Sequence, residues 1–402
     1  MRASSAVLLA LSQTALAQTA LAQPPAPSGP GQTVVDGRAS YQYSRYEEDD
    51  LKAGRSASGD AVRRYSIDTH HFRLAQPVFG DGEASLDLRH ETMSGASPFY
   101  VMPVGGKAVQ VMSGASIREE RTAVDAGWTL ALDRLATLKL SAGYSREDDY
   151  RSWNLGVEGG LEDAARMTRL SLGIGHSWDD IEPVHGASPV VVDREKRRSF
   201  SAYASLDQVL GASTRLQLGL SGQWQQGYLG DPYKLVCISA SASGCDSLMR
   251  DERPDERRSI AATLRLRQAL PWQGAAVHLD YRYFQDNWDI HANTLSLGLH
   301  RGIGSWYLAA DLRWHSQSQA GFYAPWLDAA PADGLASSDY RLSPYGALGL
   351  SADISRRVGD WTLAAGAGAY RADADLASGK VEVANPGLVS YRVGHVRISR
   401  HY

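Results

Sequence analysis

The feature that most constrains this chain is a strict alternation of apolar and polar residues that recurs along its length. Between positions 215 and 225, Leu216, Leu218, Leu220 and Trp224 share one face, whereas polar residues such as Gln217 share the other. A period of two is the period of a β-strand whose two faces meet different environments. The chain is therefore expected to be all-β, with one apolar face on each strand.

The same alternation predicts sixteen strands, each of about ten to fifteen residues, which is enough to cross a bilayer at a tilt. An even number suits a closed barrel whose chain ends lie on the same side. We predict a transmembrane antiparallel β-barrel of about sixteen strands. The predicted strands span residues 39–48, 64–76, 83–93, 118–132, 135–146, 150–159, 166–178, 196–208, 213–225, 257–269, 275–286, 289–300, 304–316, 340–354, 360–371 and 388–402.

The connections between these strands are short at one end and mostly long at the other. Outer-membrane barrels have this asymmetry, with short periplasmic turns and long extracellular loops. A soluble two-sheet sandwich also alternates, but it rarely needs sixteen strands of this length with one-sided loops. The long connections are 49–63, 94–117, 179–195, 226–256, 317–339 and 373–387.

Tryptophans and the absence of long apolar runs agree with a barrel. Although 43% of the residues are apolar, no stretch approaches the roughly eighteen consecutive apolar residues of a spanning helix. Aromatic belts are expected at both membrane interfaces of a barrel. The predicted turn-side belt contains Trp272, Trp306 and Trp361, and the predicted loop-side belt contains Trp178, Trp224, Trp288 and Trp314.

The first residues predict export. Arg2 precedes a short apolar run, and A-x-A sites end at Ala17 and Ala22, which is the arrangement of a cleavable signal. We expect residues 1–22 to be a signal peptide, 23–38 a Pro/Gly-rich periplasmic tail and 39–402 a barrel in the outer membrane. The exported compartment and the close spacing of Cys237 and Cys245 predict a local disulfide. A formal net charge of -4 without a basic block argues against a nucleic-acid partner.

Polar residues on the predicted inner face indicate a wet lumen, because sixteen strands leave room for water. Their mixed signs favour a network across the lumen over a selectivity ring of one charge. The alternative is that these side chains pair with each other and brace the wall. The candidate lumen residues are Asp87, Arg89, Glu91, Glu119, Arg121, Asp125, Asp280, Arg282, Asp311 and Arg313.

The connection from Met93 to Ile117 contains a single charge, Lys107, which is unusual for a loop in external water. We hypothesise that it folds inward as a constriction or plug, in which small residues allow close backbone approach. A simple external hairpin is the alternative. The small residues form a repeated block comprising Ser94, Gly95, Ala96, Ser97, Ser113, Gly114, Ala115 and Ser116.

Metal and catalytic sites are not predicted. The acidic runs 47–50 and 147–149 lack the ligand spacing of a calcium loop. His278 with Asp280 and His315 with Asp311 lie on predicted inward faces, but no nucleophile motif accompanies them. We expect no enzyme activity and no cofactor, and an outer-membrane lipase or protease is the least favoured function.

Several sequence blocks resemble an uncharacterised family of proteobacterial outer-membrane proteins. The last strand, ending at Ile398 and Tyr402, is similar to the C-terminal signal read by the barrel assembly machinery, although Arg400 departs from it. The blocks that resemble the family are residues 44–51 (SRYEEDDL), 93–100 (MSGASPFY), 111–117 (VMSGASI), 227–234 (GYLGDPYK) and 252–255 (ERPD).

The resemblance implies the barrel fold and contact with outer-membrane lipid and lipopolysaccharide. Genes of this family tend to lie beside genes for thioredoxin-like proteins, small lipoproteins and flavin transferases. The resemblance therefore implies a channel or sheath for transfer across the outer membrane, with a small lipoprotein or a flavin- or thioredoxin-like redox partner. A porin-like passive diffusion channel is the alternative.

Overall fold

The computed structural model of the chain describes residues 37–78, 82–113, 117–183, 192–241, 244–383 and 385–402. The predicted signal peptide, the tail before residue 37, and Gly114, Ala115 and Ser116 of the repeated block lie outside these ranges. Within them, no helix has the length and apolar character needed to cross a membrane. The helices in these ranges are short 3-10 turns at Ala53–Arg55, Pro271–Gln273, Tyr340–Leu342 and Ala374–Leu376.

The described chain forms strands of two kinds, the long strands of a barrel and five strands that lie outside it. Those outside the barrel are β4 (Pro98–Val104), β5 (Lys107–Met112), β12 (Leu235–Ser241), β13 (Gly244–Arg250) and β18 (Trp326–Leu327). In chain order the strands are β1 (Arg38–Glu48), β2 (Ser66–Val78), β3 (Gly82–Gly95), β4 (Pro98–Val104), β5 (Lys107–Met112), β6 (Ile117–Ala131), β7 (Ala136–Arg146), β8 (Tyr150–Glu162), β9 (Thr168–Ile181), β10 (Glu195–Gly211), β11 (Thr214–Gly227), β12 (Leu235–Ser241), β13 (Gly244–Arg250), β14 (Glu256–Leu270), β15 (Ala275–Asp286), β16 (His291–Ile303), β17 (Trp306–Gln317), β18 (Trp326–Leu327), β19 (Tyr345–Val358), β20 (Trp361–Asp373) and β21 (Ser390–His401).

The remaining sixteen strands form a closed antiparallel barrel in which each strand pairs with the next barrel strand along the chain. The ring closes where β1 pairs with β21, from Arg38 opposite His401 to Glu48 opposite Tyr391. Closure leaves no unpaired strand edge in the wall, and a bilayer requires this because it offers no hydrogen bonds to an exposed backbone. The prediction of a sixteen-stranded barrel is confirmed.

The two faces of the wall follow the alternation of the sequence. Large apolar side chains point outward and are exposed, as at Leu155, which is 54% exposed, and Leu350, which is 61% exposed. In a soluble protein such a band would be a liability, but facing hydrocarbon it is the expected surface. The intervening polar side chains therefore point into the lumen.

The turn end of the barrel is built from tight connections. Gly274 and Gly359 have φ angles of 58° and 59°, which is the left-handed region that glycine adopts without steric cost. At the opposite end the long connections contain their own strands: β4 and β5 pair as a hairpin, and β13, β12 and β18 form a three-stranded sheet. The sequence did not predict these five strands.

One of the predicted belt tryptophans is placed differently. Trp224 and Trp361 are exposed on the outward face, but Trp288 is only 4% exposed and packs edge-on against Phe322. Its Nε1 donates a hydrogen bond to the carbonyl of Glu256 at 3.0 Å. The prediction for Trp288 was wrong because this residue follows the end of β15, where alternation no longer applies.

Candidate functional site

The first group of candidate lumen residues lies on β3 and β6 near the loop end. Arg121 Nη1 donates to Glu91 Oε2 at 3.0 Å, and Arg121 Nε lies 3.5 Å from Glu147 Oε1. Farther down β3, Asp87 is 2.8 Å from His71 Nε2. These contacts join side chains of neighbouring strands along the wall.

A second group lies on β14 to β17. Asp280 is bonded to Arg267 on the neighbouring strand, and Asp311 lies 3.3 Å from His300 Nε2. The remaining candidates share the lumen face of their strands. These are Arg89 on β3, Asp125 and Glu119 on β6, Arg282 on β15, whose guanidinium lies 5.1 Å from the Phe284 ring centroid, and Arg313 on β17.

The histidines weighed as parts of a hydrolase have other neighbours. His278 stacks on His300, with ring centroids 3.9 Å apart. His315 Nδ1 lies 2.9 Å from the Thr294 hydroxyl. The Asp311 carboxylate pairs with His300 rather than with His315. In the described contacts, no hydrogen bond or ion pair joins His278 to Asp280 or His315 to Asp311.

Inward-facing glycines allow side chains on two non-adjacent strands to contact each other across the strand between them. Asp353 on β19 and His395 on β21 are 3.1 Å apart across Gly366 of the intervening β20. A Cβ atom at Gly366 would lie 2.4 Å from both side chains. Asp125 and Asn154 likewise approach each other across Gly143. The wall therefore carries polar bridges that depend on the missing side chain between them.

Residues of both copies of the small-residue block meet at the base of the β4–β5 hairpin. Ser97 N–H donates to the Ser113 hydroxyl at 2.9 Å, and Ser113 N–H donates to the Ser97 carbonyl at 2.8 Å. Ser94 and Gly95 end β3. A Cβ atom at Gly95 would lie 2.4 Å from the Arg64 carbonyl oxygen, and Ala96 N–H donates to the Arg63 carbonyl. Small residues thus permit close contact with the connection 49–65.

Loop-side connections from distant parts of the ring meet each other, and we call this assembly the lid. It consists of the β4–β5 hairpin, the β13–β12–β18 sheet and the segments 49–65, 228–234, 251–255, 328–344 and 385–389 that join them. Lys234 Nζ donates to the Pro98 carbonyl at 3.0 Å, although six barrel strands, β6 to β11, separate the two connections. Connections so far apart on the ring can touch only by crossing the opening of the barrel.

The lid has an apolar interior of its own. Val236, Ile238 and Ala336 form a buried cluster against Met249 and Leu327, so the three-stranded sheet is held by the hydrophobic effect as well as by its backbone bonds. The described half-cystines Cys237 and Cys245 form a disulfide that joins β12 to β13, as predicted. This pairing closes the hairpin within the lid and is separate from the barrel wall.

A buried ionic cluster adjoins the end of this sheet, where Lys234 precedes β12 and Asp251 follows β13. The cluster contains three acids and three bases. Arg253 Nε donates to Asp251 at 2.6 Å, and Arg253 Nη2 donates to Asp339 at 2.9 Å. Arg341 bonds both Asp339 and Asp231, the latter at 3.0 Å. Lys234 is the third base and is 5% exposed. Because the charges balance and each acid accepts hydrogen bonds, burial of the cluster is tolerated.

Burial and mutual attraction act in opposite directions on these groups. Burial alone would raise the pKa of Asp339, but the charges of Arg341, Lys234 and Arg253 lower the pKa below its ordinary value. For Lys234 burial dominates, so that its pKa is lowered in spite of the nearby Asp339 and Asp231 carboxylates. Burial also raises the pKa of Asp251 in spite of the neighbouring Arg253, so burial disfavours the charged form of one base and one acid in the cluster.

Two further buried side chains, Arg64 and Tyr233, join parts of the lid to each other and to the strand and connection beside it. Arg64 donates to Glu48 at 2.6 Å and to the Gly387 carbonyl at 3.2 Å, joining the connections before β2 and β21. Its guanidinium also lies 5.7 Å from the Tyr340 ring centroid. Tyr233 donates its hydroxyl hydrogen to Asp149 at 2.5 Å, which joins the lid to the connection between β7 and β8.

Four buried carboxylates lie close to one another, beside Arg121 and the Tyr233 contact. Glu91, Glu119, Glu147 and Asp149 are each less than one-tenth exposed. Burial raises the pKa of Glu147 well above its ordinary value, the neighbouring acids raise it further, and Arg121 opposes them. Among the described residues, no group of three or more His, Cys, Asp or Glu side chains is arranged to hold a metal ion.

Sequence reasoning missed the ionic cluster, but one signal pointed to it. The blocks that resemble the family lie far apart along the chain and converge in the lid. SRYEEDDL supplies Glu48, MSGASPFY supplies Pro98, GYLGDPYK supplies Asp231 and Lys234, and ERPD supplies Arg253.

Comparison with known proteins gives one family match. A family model described as protein of unknown function (DUF3570) matches residues 3–387. No curated protein matches the chain.

Several solved structures are similar in fold. The siderophore receptor PirA from Pseudomonas aeruginosa has a TM-score of 0.41 at 10% identity, over 83% of this chain and 56% of the receptor. CdiB from Acinetobacter baumannii has a TM-score of 0.49 at 8% identity, over 91% of this chain and 60% of CdiB. A BenF-like porin from Pseudomonas fluorescens Pf-5 has a TM-score of 0.44 at 7% identity, over 91% of this chain and 97% of the porin. The chain spans less than two thirds of the length of the first two proteins.

Proposed function

We propose that this chain, which belongs to the DUF3570 family of proteins of unknown function, is an outer-membrane conduit. In this proposal the lid keeps the outer mouth of the conduit closed. The observation that carries the proposal is the meeting of distant connections over the mouth through the buried ionic cluster. A passive porin needs a standing aqueous path, whereas a closed conduit or sheath needs a seal with a defined way of opening.

The wall supports the conduit part of the proposal. Sixteen strands leave a lumen that side chains do not fill, and its lining is polar, with paired groups such as Glu91 and Arg121. The apolar outward band supports membrane insertion, and the predicted export signal supports the outer membrane. In this proposal Ser97 and Ser113 hold the base of the β4–β5 hairpin, and the hairpin is part of the constriction.

The turn side is the open side in this proposal. A periplasmic partner would engage the barrel there, and we propose a small lipoprotein or a flavin- or thioredoxin-like redox protein, as the family resemblance implies. The barrel then serves as a sheath or channel for transfer across the outer membrane, and opening of the lid would be coupled to that partner.

Conductance of the purified barrel in planar bilayers tests the closed state. The wild-type protein should stay closed for most of the recording, and deletion of residues 99–110 should give steady conductance. A matched control removes the exposed contact between Lys380 and Glu382 by Lys380→Met. Steady conductance of the wild-type barrel would instead favour a porin-like passive channel, and unchanged conductance of a folded deletion variant would refute the constriction.

A pull-down from native membranes tests the partner. Recovery of a lipoprotein or flavoprotein with the barrel supports the sheath, and recovery of the barrel alone under gentle extraction contradicts it. Lipid and peptide hydrolysis by the refolded barrel should be absent. If hydrolysis is present and is lost in His278→Ala or His315→Ala, the protein is an enzyme.

A further inference from the structure

Charged side chains on the outward face of the turn-side half of the barrel are confined to one sector. Outward positions alternate with lumen positions, and exposed residues such as Leu299, Ile354 and Ile398 identify them. Elsewhere in this half of the described barrel strands, the outward positions carry apolar or uncharged side chains. The charged outward residues in this half are Arg301 on β16, Arg356 on β19 and Arg400 on β21.

Two of these arginines lie over tryptophan rings. Arg356 is the cross-strand neighbour of Trp306, and its guanidinium carbon is 5.0 Å from the ring centroid. Arg400 has the same relation to Trp361 at 5.4 Å. A guanidinium that stacks on a ring keeps its N–H edge free for other bonds. The two pairs therefore present planar hydrogen-bond donors at the level of the turn-side aromatic belt.

All three arginines are exposed, and the ion pairs of the described residues do not include them. An arginine on the lipid-facing wall is unfavourable, and less so close to the headgroups. The sector thus places three positive charges where the neighbouring molecules are lipids, and a negative headgroup is the counter-ion within reach.

The spacing suits lipid headgroups. Strands β17, β19, β20 and β21 are successive neighbours in the ring, so Arg356 and Arg400 are two strands apart, or roughly 10 Å. Tryptophan rings at a membrane interface lie at headgroup depth, and the guanidinium fork matches the two oxygens of a phosphodiester.

We propose that Arg301, Arg356 and Arg400, with Trp306 and Trp361, form a binding site for anionic glycerophospholipid in the turn-side leaflet. The ligand class is a phosphodiester headgroup with net negative charge, and the acyl chains lie on the apolar wall. The site also gives a physical reason for Arg400, which departs from the apolar residue expected at this position of the last strand. This inference rests on the proposed membrane location but not on the lid.

The test uses the full barrel in nanodiscs of phosphatidylcholine with a minor fraction of phosphatidylglycerol, followed by native mass spectrometry of the retained lipid. The test variant combines Arg301→Gln, Arg356→Gln and Arg400→Gln. The matched control combines Arg357→Gln and Arg397→Gln, which lie on the lumen face of β19 and β21. Heat-dependent gel mobility establishes that each variant is folded.

The wild type and the control should retain phosphatidylglycerol selectively, and the triple variant should lose retention on the order of five-fold per arginine. The site is refuted if the triple variant retains as much, if the control loses as much, or if phosphatidylcholine is retained equally well. Co-flotation with vesicles of phosphatidylcholine alone separates this failure from failure of the membrane location. A barrel that inserts without lipid selectivity overturns the site only, whereas one that does not insert overturns both proposals.

Discussion

Lys234 donates its ammonium hydrogen to the carbonyl of Pro98 at 3.0 Å, although 136 positions separate the two residues along the chain. The contact joins the ionic cluster to the β4–β5 hairpin. The same lysine lies 5.8 Å from the Tyr340 ring centroid. One buried cation thus holds together the hairpin, the three-stranded sheet and the segment before β19, and its removal should loosen all three.

Substitution Lys234→Met should open the lid while leaving the barrel folded. Methionine preserves most of the buried volume but removes one of the cations beside the Asp339 and Asp231 carboxylates. Loss of a buried charge partner costs about 3–5 kcal/mol. We expect the open fraction in bilayer recordings to rise well above that of the wild type. Lys380→Met, at an exposed ion pair, is the control. Equal open fractions in all three proteins would contradict a locking role for Lys234.

Substitution Glu147→Gln should change the pH dependence of stability. Because folding raises the pKa of Glu147, its contribution is fully present below the unfolded pKa of about 4.5 and is lost as the pH rises through the folded pKa. Glutamine stays neutral and does not lose this contribution. We expect the free energy of unfolding of the variant to rise relative to that of the wild type between about pH 5 and about pH 8. The rise should be about 1.4 kcal/mol for each unit by which folding raises the pKa of Glu147.

Thermal unfolding at the two pH values measures this difference. The uncharged residue should also remove the repulsion from Glu91, Glu119 and Asp149. The same stability difference at both pH values would show that Glu147 is ionised in the folded protein. A matched control is Glu382→Gln, since that carboxylate is exposed and pairs only with Lys380 in the described contacts.

Substitution Gly95→Ala should destabilise the base of the hairpin. Gly95 has a φ of 137°, and a Cβ atom there would meet the Arg64 backbone. Strained backbone of this kind costs about 1–3 kcal/mol. We expect faster proteolysis of the 96–113 and 49–65 connections. Gly159→Ala, where a Cβ atom meets nothing within 4 Å, should leave cleavage unchanged, and equal rates in the two variants would argue against the close contact.

Reduction of the disulfide between Cys237 and Cys245 should affect the lid alone. Closure of so short a loop contributes about 2–3 kcal/mol in the chain-entropy model. Amide hydrogen exchange should therefore speed up in β12 and β13 and stay unchanged in β15. Cys245→Ser gives the same comparison without a reductant. Faster exchange throughout the barrel would contradict this prediction, because it would show that the disulfide stabilises the whole fold.

The barrel could be predicted from sequence because the alternation that specifies each strand lies within that strand. In β11, Leu218 and Leu220 alternate with polar residues and prove to be exposed outward, so the period of two reports the wall directly. Turn glycines such as Gly274 mark the opposite end. Strand existence follows from these signals, while several boundaries shifted by a few residues because pairing with the neighbouring strand, rather than local pattern, decides where a strand stops.

The lid could not be predicted because the contacts that bury its residues join positions far apart along the chain. Val236, Cys237 and Ile238 form a continuous apolar run that is buried on both faces, so β12 has no alternation to detect. Lys234 looks like an ordinary loop lysine in sequence, and its burial depends on partners more than a hundred residues away. The disulfide was predictable because eight positions separate its two cysteines.

The seam between β1 and β21 has a consequence for how the molecule comes into being. Because β1 pairs with β21, and Gly37 and Tyr402 bond to each other at the end of that register, β1 keeps one edge unpaired until β21 has folded against it. Any folding intermediate that lacks this seam is an open sheet with two unpaired edges. Either edge could pair with a strand of another chain, and closure of the seam removes both edges at once.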